Sequence, residues 1–218
     1  LMMGGFAVQS GISRDIYAFA QALCRPFRGG LALSTIGGSA GFGALTGSSV
    51  ATVATIGSVA YPEMAQRGYS PRLSAGSIAA GGTLGQLLPP STAAVIYAIL
   101  VEQSIGAIYI ALIIPAVLTI IFYLAAIALT VTLSPSAAPR GEPWDVREIG
   151  RTALDSLPAL IMFALVFGGI FFGFFTATEA AGVGAVVAFA IMCLRGRLRG
   201  GGFWKVMAET TRSTSMIY

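Results

Sequence analysis

The stretch Gly41-Phe42-Gly43-Ala44-Leu45-Thr46-Gly47-Ser48-Ser49 sets three hydroxyls among three glycines, with no charged residue near on either side. Glycine readily ends a helix. A helix that stops there leaves carbonyl oxygens unpaired, and the helix that follows opens with unpaired amides and a positive dipole end. Together with Thr46, Ser48 and Ser49, such ends offer neutral oxygen ligands to a hard cation and amide donors to an anionic group. A second interruption follows at Gly81-Gly82-Thr83-Leu84-Gly85-Gln86-Leu87-Leu88-Pro89-Pro90-Ser91. Pro89 and Pro90 lack an amide hydrogen, and Pro90 turns its predecessor away from the helical region. The carbonyls of Gly85, Gln86, Leu87 and Leu88 are therefore expected to be free. The plainer alternatives are a glycine-rich helix contact with hydroxyls bonded back to the preceding turn, and an ordinary prolyl kink.

Other chemistry is excluded by what the chain lacks. It has no histidine, so the usual general base, metal ligand and proton shuttle are missing from this stretch. No Asp or Glu falls in either interrupted segment, whereas proton-driven carriers place an ionisable group inside the membrane. Hydroxyl and carbonyl oxygens suit an alkali cation, so Na+ is preferred to H+ as a bound ion. Gly37-Gly38-Ser39-Ala40-Gly41 fits the nucleophile-elbow pattern by chance, since no strand precedes it and no histidine can pair with Ser39. The glycines 41–48 lack the lysine of a phosphate loop. Cys24 and Cys193 stand singly and imply neither disulfide nor metal. Glu102 and Glu179 read as loop or helix-start residues, and Tyr97 and Tyr109 as packing or interfacial aromatics.

The elements that must position these residues are membrane helices. Hydrophobic residues make up 56% of the chain and charged ones 10%, too few to cover a soluble domain, and mean hydropathy is +0.81. Charges are absent from 29–62, 73–101, 103–139, 156–178 and 180–194, and all but the last match the ~17–25 residues of a spanning helix or exceed them. The net charge of +4 sits in the loops, where Lys and Arg mark the cytoplasmic side. Arg25 and Arg28 precede the first charge-free run and Arg67 and Arg72 follow it. A run of about 34 residues that starts and ends on one face must enter and return. This predicts a re-entrant hairpin with arms at 31–45 and 50–66, reversing within 41–49. Four crossings then place Arg140, Arg147 and Arg151, and Arg195, Arg197, Arg199 and Lys205, on that same side.

The resulting organisation is all-α and polytopic. Residues 1–30 are the end of a transmembrane helix and an interfacial arm, 31–66 the hairpin, 71–101 a broken transmembrane helix and 106–133 a further one. A cytoplasmic loop and amphipathic arm occupy 134–156, two transmembrane helices 157–194, and a loop with a second arm 195–218. Ile12, Ile16, Phe19 and Leu23 form the apolar face of the first arm, Val146, Ile149, Ala153 and Leu157 that of the second, and Phe203, Val206 and Met207 repeat the pattern. The chain opens at Leu1 inside an apolar segment without a signal-peptide layout and stops abruptly at Tyr218, so an internal portion of a longer chain is expected. A hairpin tip and a broken helix in consecutive segments are the ingredients of a midplane binding site in transporters.

At these residues the chain resembles the large membrane subunit of tripartite ATP-independent periplasmic (TRAP) transporters. The resemblance runs through Ser10-Gly11-Ile12-Ser13-Arg14-Asp15, Thr46-Gly47-Ser48-Ser49-Val50-Ala51-Thr52, Tyr61-Pro62-Glu63-Met64, Ala79-Ala80-Gly81-Gly82-Thr83-Leu84-Gly85, Pro89-Pro90-Ser91 and Thr176-Ala177-Thr178-Glu179-Ala180-Ala181. It implies Na+-coupled import of small carboxylates such as C4-dicarboxylates or sialic acid across the bacterial inner membrane. The implied partners are a small membrane subunit and a periplasmic solute-binding protein, and the implied motion is an elevator. Ser48, Ser49 and Gly47 would hold one sodium ion with Gly85, Leu88 and Pro89, while Thr46, Ser49, Thr83, Pro90 and Ser91 would meet the solute. By this resemblance, the chain is expected to supply about half of such a subunit, with the partner repeat and its own hairpin lying outside it. Thr46 stands where serine is usual, Gln86 replaces an apolar residue beside the break, and Ala177 stands where proline is expected. The rival readings are a stand-alone sodium/dicarboxylate symporter, an ion channel with re-entrant loops and, last, a membrane-embedded enzyme.

Overall fold

The computed structural model describes residues 2–197 and 201–217, so Arg199 of the last basic cluster lies outside the described residues. Among the described residues, ten α-helices follow in order: α1 Met2–Ser10, α2 Ile12–Cys24, α3 Gly30–Thr46, α4 Ser49–Gln66, α5 Pro71–Leu87, α6 Thr92–Leu100, α7 Ile105–Leu133, α8 Val146–Phe171, α9 Ala177–Leu194 and α10 Gly202–Ile217. No strand occurs among the described residues. Among the described residues two helices, α7 and α8, are long and apolar enough to cross a membrane, and α5 with α6 forms a third such unit bent by 44°. At 29 residues α7 is about 43 Å long, longer than a ~30 Å hydrocarbon core. The apolar part of α9, Thr178–Leu194, is shorter than a full span.

The helices bury two separate apolar cores. One gathers Leu31, Ile36, Phe42, Ile56, Met64, Leu84, Ile127 and Val131 from α3, α4, α5 and α7. The other gathers Met3, Phe6, Met162, Val166, Met192 and Val206 from α1, α8, α9 and α10. Between them lies α2, which sends Tyr17 into the first core and Ile12 into the second, while Ile16 packs against both. Its buried face is rotated from the expected one: Leu23 is 43% exposed and Tyr17 only 2%. Contact on two sides, with α3 and with α8, selects a face that an interfacial helix with one wet side would not show.

Ion pairs tie the helix ends together. Arg25 pairs with Glu142 (2.8 Å) and with Glu148, Arg67 with Glu63 (3.2 Å), and Arg195 with Asp15. Trp144 Nε1 donates to the Leu23 carbonyl (3.1 Å) and pins the loop after α7 against α2. The second arm is not a separate element. Val146–Phe171 is one helix, in which the amphipathic stretch runs on through Pro158 into the apolar one. A change in side-chain polarity alters which face is wet, but it does not interrupt the main-chain ladder.

Candidate functional site

The hairpin reversal is tighter than its composition suggests. Glycines 41 and 43 stay helical, and only Gly47 and Ser48 lie between α3 and α4. Gly47 takes the left-handed conformation (φ 61°) that closes α3, its N–H donating to the Gly43 carbonyl at 2.8 Å. Ser48 is extended and caps α4, its hydroxyl accepting from the Ala51 amide at 3.3 Å. The carbonyls of Ala44, Leu45 and Thr46 receive no main-chain donor among the described residues. At the other end of the turn, the amides of Ser49 and Val50 open α4 without an intrahelical acceptor.

The break in the next segment is also shorter than expected, covering residues 88–91. Gly85 is still within α5, which corrects its assignment to unwound chain. Pro89 and Pro90 stand four residues beyond Gly85 and Gln86 and cannot donate to those carbonyls, whereas the Leu88 amide still reaches Leu84 at 2.9 Å. The helix therefore persists to Leu87 while its last carbonyls go unpaired. The peptide joining Pro89 to Pro90 is cis. Ser91, 1% exposed, caps α6 by accepting from the Ala94 amide at 3.3 Å.

Tertiary packing presses these two interruptions together. Gly85 packs directly on the tip, since a Cβ added there would lie 2.6 Å from the Ser48 carbonyl oxygen. A Cβ on Gly43 would fall 2.7 Å from the Gly85 Cα, so two glycines make the α3–α5 crossing possible. Thr92 Oγ1 donates to the Gly47 carbonyl at 3.2 Å, tying the start of α6 to the tip. Ser49 Oγ donates to Gln86 Oε1 at 3.3 Å.

At the tip, several oxygen atoms keep lone pairs that no donor uses. Thr46 Oγ1 gives its hydrogen to the Phe42 carbonyl (3.2 Å) and Thr52 Oγ1 to the Ser48 carbonyl (2.8 Å). The two hydroxyl oxygens sit 3.4 Å apart, with lone pairs left over. The Ser48 carbonyl is already filled by the Thr52 amide and hydroxyl, so among the described residues the free carbonyls here are those of 44–46 and 85–90. Thr46, Pro90 and Ser91 line a cavity of about 500 Å3 that reaches α1, α7, α8, α9 and α10, and among the described residues no charged side chain lines it. That volume suits a small organic molecule. No cluster of His, Cys, Asp or Glu able to hold a transition metal occurs among the described residues.

Of the residues singled out in the sequence, Thr46, Gly47, Ser48, Ser49, Gly85, Leu88, Pro89, Pro90 and Ser91 are brought to this junction. Thr83 is not. It turns toward α7, with its hydroxyl on the Ala80 carbonyl (2.7 Å) and 3.0 Å from the Tyr123 hydroxyl. Thr52 and Thr92 belong to the junction but escaped the sequence reading. Their signal was available, since Thr52 lies one turn beyond the cap Ser48 and Thr92 directly follows the cap Ser91.

These features define an all-helical membrane protein in which two broken helix ends meet beside a neutral cavity. Residues 1–218 match the family described as "Tripartite ATP-independent periplasmic transporter, DctM component", and the chain belongs to that family. It is 36% identical, over 100% of its length, to the C4-dicarboxylate TRAP transporter large permease protein DctM of Pseudomonas aeruginosa, covering 51% of that protein. The isethionate TRAP transporter permease protein DctMQ of Oleidesulfovibrio alaskensis is 35% identical over 98% of this chain and 34% of its own length. The sialic acid TRAP transporter large permease protein SiaM of Vibrio cholerae is 30% identical over 100% of this chain and 51% of its own. The chain thus spans about half the length of the large permease proteins it matches.

Proposed function

We propose that the complete permease is the membrane subunit of a Na+-coupled secondary transporter that imports small organic acids across the bacterial inner membrane. A periplasmic binding protein would deliver the solute, and a small membrane subunit would complete the assembly. The substrate class follows relatives named for C4-dicarboxylates and sialic acid. Support for a bound cation comes from one observation: the Gly47–Ser48 turn and the Pro89–Pro90 break abut, with carbonyls on both sides that, among the described residues, have no donor and no carboxylate beside them. Backbone left unpaired within hydrocarbon is tolerated only where protein, water or a ligand satisfies it. In this reading Ser48, Ser49, Gly47, Gly85, Leu88 and Pro89 surround Na+, while Thr46, Ser49, Pro90 and Ser91 meet the solute. The amides opening α4 and α6 favour the solute's negative charge. The hairpin α3–α4 enters and leaves on the cytoplasmic side. Its core, with α5 and α7, moves as a unit against the core of α1 and α8–α10, and α2 touches both.

Uptake by the complete transporter in proteoliposomes, with and without a Na+ gradient, tests this. Ser48→Ala or Ser49→Ala is expected to raise the Na+ concentration for half-maximal uptake by about tenfold, the equivalent of about 1.4 kcal/mol. Ser39→Ala should leave it unchanged, because that buried hydroxyl lies in mid-helix, with no hydrogen-bond partner among the described residues. Equal effects at all three positions would exclude the assigned ion site.

A further inference from the structure

A groove of about 480 Å3 runs between α5 and α7 on the side of α5 away from the hairpin tip. Its lining changes character along its length. Inside, it is walled by Leu73, Gly76, Ala80, Ala126 and Ile127. The hydroxyls there are turned inward on their own helices: Ser77 donates to the Ser74 carbonyl (3.0 Å) and Thr130 to the Ala126 carbonyl (2.7 Å). The interior therefore presents hydrocarbon and no free donor. At the mouth the opposite holds. Arg72 has no carboxylate within ion-pair distance among the described residues, and Ser134 and Ser136 make no side-chain hydrogen bond there. A second guanidinium, that of Arg28, donates to the Pro135 carbonyl of the same turn.

The dimensions add a constraint. From Ser134 at the mouth to Tyr123 at the inner end, α7 rises about 16 Å, close to half of a ~30 Å hydrocarbon core. The Thr83–Tyr123 hydroxyl contact closes that inner end. Gly76 has nothing within 4 Å of the position its Cβ would take, so the groove is open there, and the neighbouring face of α7 is widely exposed, Phe122 by 66%. A cationic, hydroxyl-bearing mouth at the basic end of the bundle, joined to an apolar channel one leaflet deep, matches a molecule with an anionic head and a long hydrocarbon tail.

We infer that the α5–α7 groove is a binding site for an anionic phospholipid of the cytoplasmic leaflet, with its phosphate at Arg72, Ser134 and Ser136 and one acyl chain along Gly76 and Ala126. The basic mouth favours a lipid with net negative charge over a zwitterionic one. Occupancy would hold α5 against α7, and with it the helix that carries the Pro89–Pro90 break.

Native mass spectrometry of the complete, detergent-purified permease, titrated with phosphatidylglycerol or phosphatidylcholine, tests the site. Wild-type protein should retain phosphatidylglycerol in preference to phosphatidylcholine. Arg72→Gln should lower phosphatidylglycerol retention about fivefold, the attraction of one basic residue for an anionic lipid, and leave phosphatidylcholine nearly unchanged. Gly76→Phe, whose side chain grows into open space, should lower retention of both lipids without unfolding the protein. Equal retention of phosphatidylglycerol by wild type and both variants would overturn the proposal. So would a photoreactive residue replacing Ala126 that captures a protein segment rather than lipid.

Discussion

Gly85→Ala should disable the junction between the hairpin tip and the broken helix. The added methyl would sit 2.6 Å from the Ser48 carbonyl oxygen, about 0.8 Å inside ordinary contact, and it would also meet the Thr52 hydroxyl. The obstacle is main chain, so no rotamer change relieves it, and α4 and α5 must separate. Overpacking of this kind costs typically about 1–3 kcal/mol, and the rigid neighbour places this case in the upper half of that range. Against that stands a gain of about 0.5–1 kcal/mol from replacing glycine by alanine within a helix, leaving a net loss of about 1–2.5 kcal/mol. Gly76→Ala is the control, because it lies on the same helix with nothing within 4 Å of its added methyl. It should show only the propensity gain. Thermal unfolding of the purified permease and Na+-dependent uptake would be measured on both variants. Gly85→Ala should unfold at lower temperature than wild type and lose at least tenfold in apparent Na+ affinity, while Gly76→Ala does neither. If the two variants behaved alike, the close approach of α5 to the tip would not be what organises the site.

Two further substitutions probe the supporting structure. Tyr69→Phe removes the hydroxyl that accepts from the buried Leu31 amide (3.1 Å) in the first turn of α3, and should cost about 1 kcal/mol, seen as a lowered unfolding temperature and faster hydrogen exchange at that turn. Arg195→Ala strips the partner of Asp15 and the donor to the Ser10 and Asp155 carbonyls (both 3.2 Å). Both charged side chains are about a quarter exposed, so after solvent screening the loss should be about 1–2 kcal/mol, with Arg195→Lys recovering part of it; an unchanged unfolding temperature for Arg195→Ala would show that the clasp contributes nothing.

Where the main chain is interrupted was legible from local chemistry. Prolines 89 and 90 cannot donate, whatever the fold, and a glycine among hydroxyls and apolar residues is a ready place for a helix to stop. The extents of the interruptions were not. Gly41, Gly43 and Gly85 read as flexible chain but are helical, because within an apolar bundle each unpaired peptide is costly, and a small residue serves better as a point of close helix contact. Thr83 follows the same lesson in reverse: its hydroxyl suggested a ligand, yet its position around α5 turns it to Tyr123.

Amino-acid order alone determined the helical, lipid-facing character of the chain, the ends of its charge-free runs and the two points where the main chain lacks partners. Those properties are local, set by side-chain polarity and by the missing amide hydrogen of proline. That Gly47 would lie against Pro90, that Thr52 would join the oxygen cluster, and that α2 would serve two cores depended on the crossing of distant helices. Such contacts arise from the shape of whole packed surfaces, which no window of neighbouring residues contains.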